Sequence, residues 1–559
     1  MFPLLKTWQN NEKSWPMIVL CFMALRHPLR LNENQTEQDI LSPKQERGQI
    51  NPVGSSKIQR AMRNVGFGVV ERVISLGLTF ILRTMMIYTL GSEYLGLNNL
   101  FISILQILNL AELGVGSAII FCMYRPIIEH DEETICALLK LFRVIYRTIG
   151  VVIFVTGLCL MPFIRFLIAG EIRADVNIYI LYFIHLINTS AGYMLFAYRG
   201  ALLLAHQRND IPAIVQLAVD ILKSLVQMIA LLVLHNYYVY VIALPMASIT
   251  GNILNAYFAK HYYPQYVCRG SVSPELKKNI KEKTFALVGV KITTLIYNSV
   301  DSVVISSFLG LVVLAQYNNY YYIMQALIAI ITVMYNSIVS IVGTSIVTQT
   351  HEKNYDDYMN LSFLNAWVVG WCTVCLYCLY QPFMQLWVGT ELMMEDSIAI
   401  CFCVYFYVFQ LMAVQNTYKD AAGLWKEDLR RSYTTNLVNL VSNLILVQVI
   451  GVYGILFSTI FALLVVSYPW QTKMIHQKLF HCSMAPYLLR LGYYTAVTIL
   501  GCAVTGIACG LVQSTDFVGL ILRGIICCVL PNIIFLVCFF RLKEFRAALG
   551  IVKQLLHRQ

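Results

Sequence analysis

Apolar stretches of about twenty residues, each followed by a short polar loop, recur from Val65 almost to the C-terminus. Each is long enough to cross roughly 30 Å of hydrocarbon as a helix. A helix is the economical choice there, because every backbone amide finds its partner within its own segment. The pattern predicts about fourteen spans, near residues 66–89, 97–124, 146–168, 176–203, 211–234, 237–259, 284–309, 317–346, 358–387, 397–418, 432–450, 452–470, 490–512 and 517–540. The tightest connection falls at 450–452, where Gly451 and Gly454 mark a very short turn.

The same pattern contains a repeat. Tyr94-Leu95-Gly96-Leu97-Asn98-Asn99-Leu100 is echoed by Leu314-Ala315-Gln316-Tyr317-Asn318-Asn319-Tyr320, which puts the two Asn-Asn pairs 220 residues apart. Near the same offset, Pro162-Phe163 recurs as Pro382-Phe383, Glu171 as Glu391, and Tyr198-Arg199 as Tyr418-Lys419. One apolar unit used twice is the usual plan of a membrane transporter. The expected organisation is a six-helix bundle over 61–270, a second over 271–480, two further helices over 481–540, and an amphipathic cytoplasmic tail over 541–559. Residues 1–60 stand outside the pattern. Met17–Leu25 is too short to span, the polar stretch after it holds Pro43 and Pro52, and the reading is a disordered cytoplasmic tail. No small-residue cleavage site marks a signal peptide, and Met62 is an alternative start.

Basic residues set the orientation. Alternate loops carry Arg125, Lys140, Arg143 and Arg147; Arg199 and Arg208; Lys260, Arg269, Lys277, Lys278, Lys281 and Lys283; Lys426, Arg430 and Arg431; Lys473 and Lys478. The intervening loops hold few, Arg165 and Arg173 being the exceptions, so both termini are expected in the cytoplasm. Composition agrees: of 559 residues 58% are apolar and 13% charged, and the mean hydropathy is +0.65. A soluble protein would carry about a quarter charged residues. The net charge of +11 is then mainly a topology signal, and a nucleic-acid partner is not expected. Among sixteen cysteines, Cys372-x-x-Cys375-x-x-Cys378 has metal-like spacing but lies in an apolar span with no fourth ligand near it in sequence. Packing residues are the expected reading, with no metal and no cofactor.

The loops exclude several activities. No outer loop is long enough for a catalytic domain, and Gly-Lys is absent, so there is no Walker-type phosphate loop. His351-Glu352 lacks the second histidine of a zinc protease, and Asp356-Asp357 reads as a solvated pair. An enzyme is not expected.

The candidate chemistry lies inside the spans, where a charge costs about 2.5–3.5 kcal/mol at a helix centre. The first span holds Glu71, Arg72 and Arg83, the two arginines on nearly the same face. The second holds Glu112 beside Gly114 and Gly116, the fifth Asp220 and Lys223, the seventh Lys291 and Asp301, the last Arg523. Each has a plainer reading too. Asp220 and Lys223 are spaced to neutralise each other; Glu71, Arg72 and Lys291 lie near enough to the interface to snorkel; Arg523 suits an anchor near the outer end. Arg83, Glu112 and Asp301 lie deepest. His185 reads as a satisfied core histidine. Tyr317, Tyr320, Tyr321, Tyr322, Tyr405 and Tyr407 suit either sugar stacking or an interfacial belt.

Repeat-related first and seventh spans both present cations. A cavity lined by Arg72, Arg83, Lys291 and Arg523 would suit an anionic phosphate or pyrophosphate. The carboxylates Glu71, Glu112, Asp220 and Asp301 are the candidates for a coupled proton or sodium ion.

Leu90-Gly91-Ser92-Glu93-Tyr94-Leu95-Gly96-Leu97-Asn98, followed by Leu110-Ala111-Glu112-Leu113-Gly114-Val115-Gly116-Ser117-Ala118, resembles the start of bacterial polysaccharide flippases. Asp301 to Gly310 with Tyr317-Asn318-Asn319-Tyr320 is similar to the opening of their second half. Tyr418-Lys419-Asp420 with Leu424-Trp425-Lys426-Glu427-Asp428 is similar to their tenth-to-eleventh loop. The resemblance covers roughly residues 60–540; residues 1–60 have no counterpart in it.

It implies a member of the multidrug/oligosaccharidyl-lipid/polysaccharide exporter superfamily: an all-α polytopic protein, with two six-helix repeats facing each other in a V plus two C-terminal helices. It further implies movement of undecaprenyl-pyrophosphate-linked oligosaccharide across the bacterial cytoplasmic membrane by alternating access, with ion antiport. A monomer surrounded by membrane lipids, working beside a polysaccharide polymerase, is the expected assembly. A drug/cation antiporter of the same fold would want an acidic, aromatic pocket, and a lipid-precursor flippase is a near relative.

Overall fold

The computed structural model describes residues 74–109, 115–169, 176–206, 208, 210–278, 280–281 and 299–547. Regular structure among them is helical. In chain order the helices are α1 (Ile74–Thr89), α2 (Ser92–Leu108), α3 (Val115–Ile128), α4 (Glu132–Leu160), α5 (Ile178–Met194), α6 (Ala197–Ala205), α7 (Asp210–Leu232), α8 (Tyr237–Tyr262), α9 (Ser299–Phe308), α10 (Leu311–Thr348), α11 (His351–Val388), α12 (Asp396–Leu411), α13 (Ala413–Ala421), α14 (Trp425–Ile450), α15 (Val452–Phe480), α16 (Ala485–Gly510) and α17 (Phe517–Phe539).

Helix is found in every predicted span. Nine of the described helices are long and apolar enough to cross a membrane, or ten if α5 and α6, bent by 49°, form one span. The parts of the first, second and seventh predicted spans at 66–73, 110–114 and 284–298 lie outside the described residues, as do residues 1–60 and most of the expected C-terminal tail.

Helix ends follow local chemistry. Asn177 and Asn236 cap α5 and α8 by accepting backbone N–H bonds, and Asp516 caps α17 through Gly519 N at 2.9 Å. Two repeat-related glycines start repeat-related helices: Gly91 (φ 106°) precedes α2 and Gly310 (φ 90°) precedes α10. Gly451 (φ 57°) is the single residue joining α14 to α15, which is the tight turn expected at 450–452.

Packing within residues 92–262 pairs α7 with α8, α4 with α5, and α5 with α8. In the later part α14 packs on α15 and α11 on α12, while α16 and α17 both dock on α11. Across the repeat, α2 packs against α10, and Gly96 lies so close that a Cβ there would collide with the Leu311 carbonyl. The tyrosines at the start of α10 are core residues, not an interfacial belt. Tyr317 and Tyr320 are buried and pack on Phe402, and Tyr321 stacks between Tyr317 and Tyr405. Buried ring–ring packing outweighs interface anchoring here because the neighbouring helices supply partners for the hydroxyls: Tyr320 Oη donates to Gln381 at 2.6 Å.

The α14–α15 turn depends on small residues. At Gly454 a Cβ would meet the backbone of Leu446, whereas one at Gly492 on α16 would meet nothing within 4 Å. Gly454→Ala is expected to cost about 1–3 kcal/mol, and Gly492→Ala to leave the melting temperature of the detergent-solubilised protein unchanged or slightly raised. Equal melting temperatures for the two variants would refute this packing.

Candidate functional site

The first site is a polar seam where the two halves of the repeat meet. α1 places Arg83 in a buried position, 9% exposed. Its Nε donates to Asn319 Oδ1 on α10 at 2.8 Å, and its guanidinium lies over the Tyr322 ring at 5.4 Å. Tyr322 Oη in turn donates to the Leu76 carbonyl of α1 at 2.6 Å. A second clasp lies on the same helix: Trp387 Nε1 donates to Thr84 Oγ1 at 2.6 Å, Tyr88 Oη donates to the Trp387 carbonyl at 2.7 Å, and Phe80 stacks on the indole. Ala169 N also donates to the Ser306 carbonyl at 2.9 Å. The halves are therefore joined at the end that carries the 90–91 and 309–310 loops.

The seam is not fully satisfied. Arg83 Nη2, Asn319 Nδ2, Asn98 Oδ1 and Asn99 Nδ2 are buried and have no hydrogen-bond partner among the described residues. An unpaired buried donor normally costs about 1–3 kcal/mol, which makes the seam a candidate site. It also explains the repeat: both Asn-Asn pairs of the sequence sit on the two helices that pack together, α2 and α10.

The second site surrounds Asp301 on α9, which is nearly fully buried. Asn443 Nδ2 on α14 donates to its Oδ1 at 2.7 Å, and Tyr317 Oη on α10 approaches its Oδ2 at 3.4 Å. Ser458 of α15 donates to Asn443 Oδ1, and Asn439 Nδ2 donates to Thr459 Oγ1 at 2.9 Å. Four helices thus bring together a carboxylate, two carboxamides and two or three hydroxyls, and no cation of the described residues pairs with Asp301 within 4.0 Å. Such an oxygen-rich set suits a hard monovalent cation or a proton. The carboxylate was legible as a charge within a span, but its companions were not. Asn439 and Asn443, four residues apart on one face of an apolar span, were the available signal.

A third feature lies within residues 92–262. A cavity of about 510 Å³ is lined by Asn109, Tyr146, Asn188, Tyr193 and Asn255 at the α5–α6 break, where Phe196 has φ 58°. The Oδ1 atoms of Asn109 and Asn255 are buried without a partner among the described residues. The polar groups among these lining residues are carboxamides and phenols.

The remaining candidates fall elsewhere. Glu71, Arg72, Glu112 and Lys291 lie outside the described residues. Asp220 accepts from Lys223 Nζ at 2.6 Å and from Gln216 at 3.0 Å on its own helix, the neutralising arrangement. Arg523 is not brought to the seam: its guanidinium caps the end of α16 through the carbonyls of Val512 at 2.6 Å and Cys509 at 3.4 Å. A helix C-terminus carries exposed carbonyls and a partial negative charge, which is why the side chain turns there. His185 is buried against Phe101.

Arg431, counted above as a loop cation, is buried instead. It binds Asp428 at 2.5 Å and Ser467, and Lys419 reaches Asp428 at 3.3 Å. The first half has a counterpart in the fork of Arg208 on Asp210 at 3.0 and 3.1 Å. Outside the spans, that carboxylate holds the Arg208 guanidinium above its usual range, while burial pushes His206 below the ordinary imidazole range.

Comparison with known proteins fits this geometry. The family described as "Polysaccharide biosynthesis protein" matches residues 61–342. No curated protein matches the chain. Among solved structures, the fold is similar to a lipid II flippase MurJ in an inward closed conformation, at 15% identity over 85% of this chain and 99% of that one, with a TM-score of 0.59. It is also similar to an inward-facing multidrug resistance MATE family transporter of the MOP superfamily, at 16% identity over 73% and 98% of the two chains, with a TM-score of 0.57.

The Arg83–Asn319 bond makes a testable pair. Asn319→Leu leaves the guanidinium without its described acceptor and is expected to cost about 1–3 kcal/mol. Adding Arg83→Leu removes the stranded donor, so the double variant should melt no lower than Asn319→Leu. Strictly additive losses would contradict the contact. The chain belongs to the polysaccharide biosynthesis protein family and carries the fold of MOP-superfamily transporters.

Proposed function

We propose that this protein is a flippase that moves undecaprenyl-pyrophosphate-linked oligosaccharide across the bacterial cytoplasmic membrane for polysaccharide synthesis. One observation carries the reading: a buried arginine at the seam between the repeats keeps a donor unspent, and asparagines on the packed helices α2 and α10 keep polar groups unspent too. A pyrophosphate would accept from the free donors at Arg83 Nη2, Asn319 Nδ2 and Asn99 Nδ2, and arginine offers it a bidentate, charge-assisted contact. Helix α2 carries Asn99 of the seam and is capped at its C-terminus by Asn109 of the amide-lined cavity. Ten residues of helix separate them by about 15 Å, a spacing that suits a pyrophosphate at one point and sugar hydroxyls at the other.

In this reading the halves are the two bundles 61–270 and 271–480, both termini are cytoplasmic, and the clasp of Thr84, Tyr88 and Trp387 closes the outer end. Alternating access opens the clasp and closes the opposite end. Proton or sodium coupling runs through Asp301 with Asn439, Asn443 and Thr459, which supplies energy without a nucleotide site. The family match and the similarity of fold to a lipid II flippase support this reading.

The test is leaflet-resolved transport of a fluorescent undecaprenyl-pyrophosphate oligosaccharide in proteoliposomes. Arg83→Ala should slow flipping about 10–100-fold, the worth of one charge-assisted contact, and Arg83→Lys should recover it only partly because the fork geometry is lost. Unchanged transport in Arg83→Ala would refute the substrate assignment, and efflux of lipophilic cations by the wild type would favour the drug antiporter. In the same vesicles, an imposed sodium or proton gradient should accelerate wild-type flipping, whereas Asp301→Asn should flip at a rate independent of the gradient. Gradient dependence retained in Asp301→Asn would remove Asp301 from the coupling path.

A further inference from the structure

The cysteines that looked like packing residues in the sequence have partners in the structure. Cys378 of α11 meets Cys509 of α16 and Cys527 of α17; all three are buried, and their Sγ atoms lie within 4.8 Å of one another. Cys509 Sγ and Cys527 Sγ are 3.8 Å apart. Cys375, one turn before Cys378, reaches the Cys527 carbonyl with its Sγ at 3.8 Å. The surroundings are apolar, with Val374, Leu379 and Ile526 packed around the thiols.

We propose that Cys378, Cys509 and Cys527 bind a thiophilic d10 cation, zinc in the first instance, in a closed structural site, with Cys375 beside them as the fourth donor. A zinc–sulfur bond of about 2.3 Å places tetrahedral ligands about 3.8 Å from one another, which is the spacing already present between Cys509 and Cys527. A cluster of thiols with no His, Asp or Glu ligand in it among the described residues disfavours magnesium, calcium and manganese. The ligands come from three separate spans, so the site ties the C-terminal helix pair to α11 as a structural zinc ties distant segments of a soluble domain.

The charge of the filled site is offset in part by a neighbouring cation. Binding displaces one proton from each of the four thiols, and a divalent ion with four thiolates carries a net charge of −2. The guanidinium of Arg523 stands beside it, bonded to the Cys509 carbonyl at 3.4 Å and the Val512 carbonyl at 2.6 Å. Capping a helix end and facing an anionic centre are compatible roles for that side chain. Packing of neutral thiols is the competing account, as is oxidation of Cys509 and Cys527 to a disulfide.

The experiment uses the full chain, purified without reductant from cells grown with zinc, and counts bound metal by mass spectrometry. About one zinc per chain is expected in the wild type and in Cys372→Ser, whose thiol lies on the same helix outside the cluster. Cys527→Ser should retain at least ten-fold less. A strong chelator should lower the melting temperature of the wild type by several degrees and leave Cys527→Ser unmoved. Metal-free wild type, equal retention by both serine variants, or an intact mass showing a Cys509–Cys527 disulfide would each overturn the proposal. If Cys527→Ser is not monodisperse, cobalt-loaded wild type decides. Thiolate-to-cobalt charge-transfer absorption supports the site, and its absence overturns it.

Discussion

A guanidinium buried inside a bundle of apolar helices must find its partners in protein, because lipid offers none. For Arg83 the described hydrogen-bond acceptor belongs to the other half of the repeat: Asn319 takes the Nε proton and Tyr322 provides a ring face. The electrostatic need of one side chain is thereby met only when α1 lies against α10. Coupling between halves follows from this constraint. Any movement that separates α1 from α10 strands a buried cation unless another anion or acceptor replaces Asn319, and a phosphate-bearing lipid is such a replacement.

The same reasoning separates permanent charges from movable ones. Asp220 with Lys223 and Arg208 with Asp210 are matched pairs two or three residues apart, and Asp428 holds Arg431 on its own helix and Lys419 on the helix before it. They travel with their own half and cost little to carry through a conformational change. Asp301 differs, because amides and hydroxyls from α14 and α15 surround it and no cation among the described residues does. Occupancy of that cluster by a proton or a metal cation changes the charge at the meeting point of four helices. That is the kind of local event that shifts the balance between two packings.

Much of this was legible in the chain. Span positions followed from apolar runs, the Gly451 turn from its spacing, and the repeat from Asn98-Asn99 and Asn318-Asn319, because helical periodicity and a repeat are one-dimensional signals. Arg83 and Asp301 were legible because charge inside a span is rare. What stayed hidden was lateral proximity. Nothing linear joins Cys378 to Cys509 and Cys527, or Asp301 to Asn443, and only packing brings them together. Side-chain direction was equally hidden. Arg523 turns back to cap α16, Arg431 turns inward to Asp428, and the α10 tyrosines face the core instead of the interface, each because a specific acceptor or ring lies there.

The most direct measurement is native mass spectrometry of the full chain with three ligands that share one polyprenyl tail: undecaprenol, its monophosphate and its pyrophosphate. If the unspent donors around Arg83 form the head-group site, retention rises in that order, and the pyrophosphate adduct weakens to the level of the alcohol in Arg83→Leu. Indistinguishable retention of alcohol and pyrophosphate by the wild type would contradict the account at its centre.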